Sequence, residues 1–446
     1  MKISRRKMIF GSGAALASGA ILHLAEKVQA KEVVQSERYA ARPVWEHPPL
    51  APGKNYTPVV TPNNVSLEYR IVSGVKVYHL IAEPVRHEFA PGLQANCWGY
   101  NGRVHGPTIE AVEGDRVRIY VTNRLPAPTS VHWHGALLPN GMDGVGGLNQ
   151  KVIRPGETFK YEWTLHQHGT LMYHSHHDEM TQMAMGLMGM FIIHPRNPRA
   201  TPKVDRDFAL LLSEWLIRPG TERPDPNAME GFNVLSINAR VFPGTAPLVV
   251  KRGDRVRIRL GNLSAMDHHP FHIHGHYFKI AETDGGRIPE AAQWPEITAL
   301  VQVGSTRTVE FIADNPGDWA CHCHMTHHVM NQMGHGIPNL VGMETRGFDP
   351  QVQKLLPDYM TMGHRGMDDH GEHVEMGHMA VPKNSIPMVG SYGPHDYITM
   401  GGMFTILKVR ERLESYDKDP GWYENPPGTQ TTHATPEELQ RDGISV

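Results

Sequence analysis

Polar and apolar residues alternate along Arg116-Val117-Arg118-Ile119-Tyr120-Val121 and again along Arg255-Val256-Arg257-Ile258-Arg259-Leu260. A period of two sends successive side chains to opposite faces of an extended chain, so both segments are predicted as β-strands with one buried face. Short runs of this kind follow one another between Gly and Pro punctuation, and no sustained helical period interrupts them between about 59 and 345. The pattern predicts an all-β chain.

The pattern also repeats. Gly114-Asp115-Arg116-Val117-Arg118-Ile119 returns 139 residues later as Gly253-Asp254-Arg255-Val256-Arg257-Ile258. His132-Trp133-His134-Gly135 returns as His272-Ile273-His274-Gly275 at an offset of 140, and Tyr173-His174-Ser175-His176 as Cys321-His322-Cys323-His324 at 148. Ordered echoes at nearly one spacing imply two copies of one domain. We expect two β-sandwiches, 59–197 and 204–345, joined by Pro195-Arg196-Asn197-Pro198. Phe404 to Val409 carries a further strand pattern, so 396–412 is expected to return to the second sandwich. That leaves an insertion at 346–395 and a C-terminal tail at 413–446 without a core-forming pattern.

Composition narrows the function. The chain has 446 residues, 40% apolar and 20% charged, with a formal net charge of -3. This is a globular composition with no basic stripe for nucleic acid and no polybasic patch for a membrane surface. Lys2, Arg5, Arg6 and Lys7, the apolar run Met8 to Leu24 and Val28-Gln29-Ala30 together read as a twin-arginine export signal over 1–30. A periplasmic or secreted protein with no membrane span is expected. Three cysteines cannot build a disulfide framework, whereas 29 His and 23 Met are ligands suited to late first-row metals, copper above all.

On a strand, His-x-His places two imidazoles on one face. The chain has four such pairs, His132/His134, His174/His176, His272/His274 and His322/His324, two per repeat at equivalent places. Eight imidazoles exceed what one zinc site uses. The second repeat also carries His269, Cys323, His328 and Met333; two imidazoles, a thiolate and a thioether are the ligand set of a blue-copper site. At the matching positions of the first repeat stand Thr129, Ser175 and Met180, so that domain is read as a cupredoxin-like sandwich without a blue copper. Cys323 lies between His322 and His324, one residue from two members of the histidine cluster.

These motifs together resemble the multicopper oxidases, the laccase-like family, in its two-domain form, over about 59–345 and 396–410. The resemblance implies two cupredoxin-like Greek-key β-sandwiches and four coppers per chain. It implies type 1 copper on His269, Cys323, His328 and Met333, and type 2 copper on His132 and His272. The type 3 pair falls to His134, His174, His176, His274, His322 and His324. Dioxygen and a small reducing substrate, organic or a metal ion, are the implied reactants. Asp143 matches an acidic position the family uses near the cluster as a proton donor; an Asp-Gly turn is its other reading. The loop Met325-Thr326-His327 has no carboxylate where many members carry one. His177, Asp178 and Glu179 follow a ligand pair and either orient it or form a charged surface. Cys97 and Cys321 are expected to be buried thiols.

Residues 360–403 hold eight Met and five His, soft ligands that favour copper(I). The laccase-like resemblance makes oxidation of a phenol or aromatic amine the first expectation, and the Met/His segment supports a Cu(I) oxidase in copper tolerance as the alternative. A copper nitrite reductase keeps its blue copper in the first domain, and a non-enzymatic copper sink needs no Cys-His wiring, so both fit less well. His176 and His269 are only 93 positions apart, too close for a middle domain. The family resemblance then implies a head-to-tail homotrimer with the trinuclear cluster at each subunit interface.

Overall fold

The computed structural model describes residues 52–218, 221–330, 354, 391–398 and 400–445. The export segment, Met333 and most of the 346–395 insertion lie outside the described residues. Nearly every element is a strand, and two six-residue stretches, Glu179–Ala184 and Pro436–Arg441, are the α-helices among the described residues. No helix there is long and apolar enough to cross a membrane.

The first sandwich faces a sheet of Tyr69–Val72, Val75–Ala90, Arg116–Asn123 and Thr158–Thr164 against one of Ile109–Val112, Met188–His194, Gly169–Ser175 and Val131–His132. Alternation sets its register: Val117, Ile119 and Val121 enter the core, while Arg116 and Arg118 face outward and share Glu162. The second sandwich opposes a sheet built on Arg206–Trp215, Arg255–Asn262, Ser305–Ile312 and Phe278–Thr283 to one ordered Leu248–Lys251, Phe404–Arg410, Gly317–Cys323, His269–Ile273 and Thr298–Val301. Phe404–Arg410 runs parallel to Leu248–Lys251 and antiparallel to Gly317–Cys323.

Two features depart from the sequence reading. Val59–Val60, expected to open the first sandwich, pairs instead with Asp207–Phe208 in the second. Arg257 and Arg259 do not face solvent, because the first sandwich covers that sheet's outer face. Each is buried, and Arg259 meets Asp207 through two bonds of 2.8 and 2.9 Å. Met172, Met188, Met190 and Ile192 of the first sandwich pack with Ala209, Leu211 and Leu263 of the second, and flexible thioethers suit such an irregular seam. The long hairpin Val75–Tyr100 also reaches across, setting Phe89 against Trp215 at 5.1 Å. The two sandwiches therefore share apolar and ionic contacts that hold them in one relative orientation.

Candidate metal centre

The strand Gly317–Cys323 sends Cys321 and Cys323 into the second core and His322 and His324 to the other side. The adjacent strand buries Phe271 and Ile273, so His272 and His274 share the face of His322. In the first sandwich Trp133 plays this anchoring part, packed on Tyr161 and Trp163 at 5.2 and 5.3 Å, and His132 and His134 project from it together.

Behind the second histidine face three donor atoms converge. His328 Nδ1 lies 3.3 Å from Cys323 Sγ and 3.1 Å from His269 Nδ1, with 3.7 Å between Sγ and His269 Nδ1. All three residues are buried. The two imidazoles present the same nitrogen inward. Outward, His269 Nε2 contacts Ser264 Oγ at 2.6 Å and His328 Nε2 lies 3.4 Å from Asp267 Oδ2. Burial pushes the Cys323 thiol up to about 12 and lowers His269 below its ordinary range. A neutral imidazole is the ligating form, and a bound metal displaces the thiol proton. Two imidazoles and a sulfur in a closed trigonal set fit copper of the blue type.

The eight cluster histidines fall into two halves. A carbonyl oxygen only accepts, so an imidazole bonded to one must donate from that nitrogen and offer the other to a metal. His132 Nδ1 donates to Asp143 O at 2.8 Å, and His272 Nδ1 to Ile297 O at 2.7 Å. His174 Nδ1 donates to Ser175 O at 2.9 Å and His322 Nδ1 to Cys323 O at 2.8 Å. His132 and His174 in one half and His272 and His322 in the other thus offer Nε2 in the same manner, whereas His134 and its counterpart His274 turn different nitrogens toward their neighbours. His134 Nδ1 stands 3.3 Å from His174 Nε2, and His274 Nε2 3.1 Å from His322 Nε2. Burial lowers His174 to about 3 and His322 to about 4, keeping both neutral. His176 lies beside His132, and His324 beside His272, with ring centroids 5.4 and 5.5 Å apart. Among the described residues, each group of three or more ligating atoms close enough for one metal draws on one sandwich alone.

Asp143 sits where the sequence placed it, but it holds His132 through its backbone carbonyl; its carboxylate is 3.5 Å from His132 Nδ1 and accepts from Asn149. Glu179 reaches His174 and His176 at 3.6 and 3.8 Å, and of the three residues that follow the ligand pair it is the one that approaches the imidazoles as an ion-pair partner. Cys97 and Cys321 are buried free thiols. The repeat offset misplaces one residue. Met180, matched to His328, is exposed, because the helix Glu179–Ala184 turns it outward. Gln182 enters the corner instead, accepting from Thr129 Oγ1 and Ser175 Oγ at 2.7 and 2.6 Å. Ser264, Glu214 and Asp267 near the blue site were also missed. Asp267 is two residues from His269, a proximity that could have marked it; Glu214 has no local motif to do so.

Fold and site define a copper protein of two cupredoxin-like sandwiches, one with a blue-copper ligand set and both with paired histidines. The chain belongs to the multicopper oxidase family, which matches residues 82–198 and 218–340, and copper is its cofactor. Copper resistance protein A of Pseudomonas syringae pv. tomato is 39% identical over 124 residues, 28% of this chain and 20% of that protein. Laccase-2 of Botryotinia fuckeliana is 31% identical over 304 residues, 60% of this chain and 51% of that one. The blue copper oxidase of Nitrosomonas europaea superposes with a TM-score of 0.54 at 27% identity, covering 74% of this chain and 85% of that chain. The chain spans between a fifth and about half the length of these two curated relatives.

Proposed function

We propose that the protein oxidises a reducing substrate one electron at a time and passes the electrons to dioxygen. The observation that carries this reading is the convergence of His269, Cys323 and His328 directly behind His322 and His324. Copper supplies the one-electron chemistry, and four ions match the four electrons that reduce dioxygen to water. His269, Cys323, His328 and Met333 are assigned to type 1 copper, His132 and His272 to type 2, and the other six cluster histidines to type 3. Cys323 joins the buried site to the outer histidines through its own backbone. Asp143 fixes the tautomer of His132 and brings a carboxylate close enough to move a proton near it. A nitrite-reductase arrangement is disfavoured because the corresponding corner of the first sandwich holds Thr129, Ser175 and Gln182, which offer no imidazole or thiolate.

Each histidine half needs a second half. The seam fixes the two sandwiches, and His274 and His324 are exposed. Tyr277, Trp294, Ile297 and Leu300 are exposed beside that half, and Leu137 and Leu148 in the loops following His134. Apolar rims around open half-sites support a head-to-tail ring of three chains, each cluster shared between neighbours. The basic, apolar start of the chain supports export.

A second reading concerns the reductant. His328 is fully buried, so electrons must enter through its surroundings. A cleft of about 700 Å³ reaches Ser264, the partner of His269, and is lined by Met180, Met183, Met188, Met229, Met266 and Glu214. The clustered thioethers, soft ligands, favour Cu(I) as the donor, and the copper resistance relative points the same way. A phenol or aromatic amine is the competing substrate, supported by the laccase relative. Oxygen uptake with Cu(I), Fe(II), Mn(II) and a phenol, each compared with Cys323→Ser, tests both readings. Uptake should require Cys323 for every donor, and Cu(I) should be fastest; full turnover without Cys323 would overturn the assignment.

A further inference from the structure

Where the second sandwich has a blue-copper corner, the first has a closed polar one. Thr129, Ser175 and Gln182 are each fully buried. Gln182 Oε1 accepts from both hydroxyls, filling its two lone pairs, while Nε2 donates to Pro128 O at 2.7 Å. Three points are thereby tied together. Thr129 precedes the strand that carries His132, Ser175 lies between His174 and His176, and Gln182 belongs to the helix that carries Glu179. In the second sandwich the equivalent strands meet at His269 and Cys323, with His328 on the short helical turn Thr326–Val329. There, a metal would make the tie.

We propose that Gln182 is a positioning residue for the trinuclear ligands His174 and His176, its amide tying the two ligand strands and the following helix where the second domain relies on its metal corner. It rests on the multicopper reading above. Gln182 touches no reacting atom; it acts through Ser175 on the flanking imidazoles and through the helix on Glu179, which lies 3.6 Å from His174 Nδ1. Loss of its amide takes the short acceptor from two buried hydroxyls and leaves them only long contacts, among them Thr129 Oγ1 to Ser130 O at 3.4 Å and Ser175 Oγ to His177 O at 3.3 Å, which burial makes costly. The strand then loses the polar tie that holds its two imidazoles in register. Partners that orient a metal ligand typically change metal affinity by about 10–100-fold when removed.

Gln182→Leu keeps the volume and removes the amide; Gln182→Glu keeps an acceptor for both hydroxyls. The copper-loaded variants are read by copper content, by the type 2 electron paramagnetic resonance signal and by the blue absorption of Cys323. Gln182→Leu should bind trinuclear copper about 10–100-fold more weakly and shift the type 2 signal, with blue absorption per chain unchanged and Gln182→Glu partly restoring the signal. Should Gln182→Leu fail to fold, Thr129→Val removes one of the two hydroxyl ties and should give a smaller shift in the same direction. An unchanged type 2 signal and copper content in the folded variant would overturn the proposal. Loss of blue and trinuclear copper in equal proportion would also overturn it, since that marks general destabilisation. Loss of blue copper from Cys323→Ser with the type 2 signal absent from the parent protein would instead strike at the multicopper reading itself.

Discussion

Arg259→Met should separate the two sandwiches energetically. The guanidinium is fully buried, forks onto Asp207 at 2.8 and 2.9 Å, and donates to Thr170 Oγ1 of the first sandwich at 2.9 Å. Thr170 is the second residue of the strand Gly169–Ser175 that carries His174, and Thr306 donates to its carbonyl, so this network pins a ligand strand to the neighbouring domain. Methionine fills most of the volume but leaves Asp207 with Arg257 alone, 3.3 Å away. Removing one partner of a buried pair costs about 3–5 kcal/mol, and the surviving Arg257 places this case near the lower end. At roughly 2–4 °C per kcal/mol for a domain of this size, the copper-free melting midpoint should fall by about 6–12 °C. The pH dependence has a fixed sign. Burial alone would raise the Asp207 carboxyl, but Arg259 and Arg257 more than reverse it and hold it below 3.8. Stability from a depressed carboxyl is complete above its unfolded value and is lost as pH falls through the folded one, so the deficit of the variant should shrink in acid. Calorimetry of both proteins from neutral to acid pH reads this directly. A midpoint within about 2 °C of the parent at neutral pH would refute the ionic pinning of the domains.

Two further substitutions probe the site. Gly144 has φ +95°, and a Cβ there would come within 1.8 Å of Val131 O; Gly144→Ala should displace the Asp143 carbonyl from His132 and weaken type 2 copper by about 10–100-fold, measured by competitive chelation. An unaltered affinity would show that the carbonyl does not orient His132. Burial raises Glu214 to about 8 from 4.5, so between those values the folded protein keeps a proton that the unfolded chain has lost and stability declines as pH rises. Glu214→Gln has no such charge to bury, so its stability advantage in copper-free denaturant titrations should grow from about pH 5 to about pH 9; a constant difference would contradict the buried-carboxyl account.

Much of the architecture was legible because alternation is a local signal. Arg116–Val121 shows it with outward arginines, and Phe404 to Val409 announces a strand by β-branched and aromatic content. The burial of Arg257 and Arg259 was not legible, since what covers them is a whole second domain and their partners Asp207 and Glu310 lie some fifty residues away. The His-x-His pairs displayed the ligands through strand periodicity, but not the tautomers, which depend on carbonyls of distant loops such as Ile297. Offset matching placed Thr129 and Ser175 in one corner because both sit beside strands that recur at the same spacing in the two repeats. It failed at Met180 because a six-residue helix replaces the turn, and helical geometry brings Gln182 inward instead.

The central claim is that each copper cluster takes its histidines from two chains. Co-expression of His134→Ala with His274→Ala tests it most directly, since each variant destroys one half-site and leaves the other intact. A shared cluster predicts that either variant alone is inactive, while the mixture recovers oxygen reduction at the interfaces that pair two intact halves, about a quarter under random assembly. Mixed oligomers that form but recover no activity would contradict the account and place the whole cluster within a single chain.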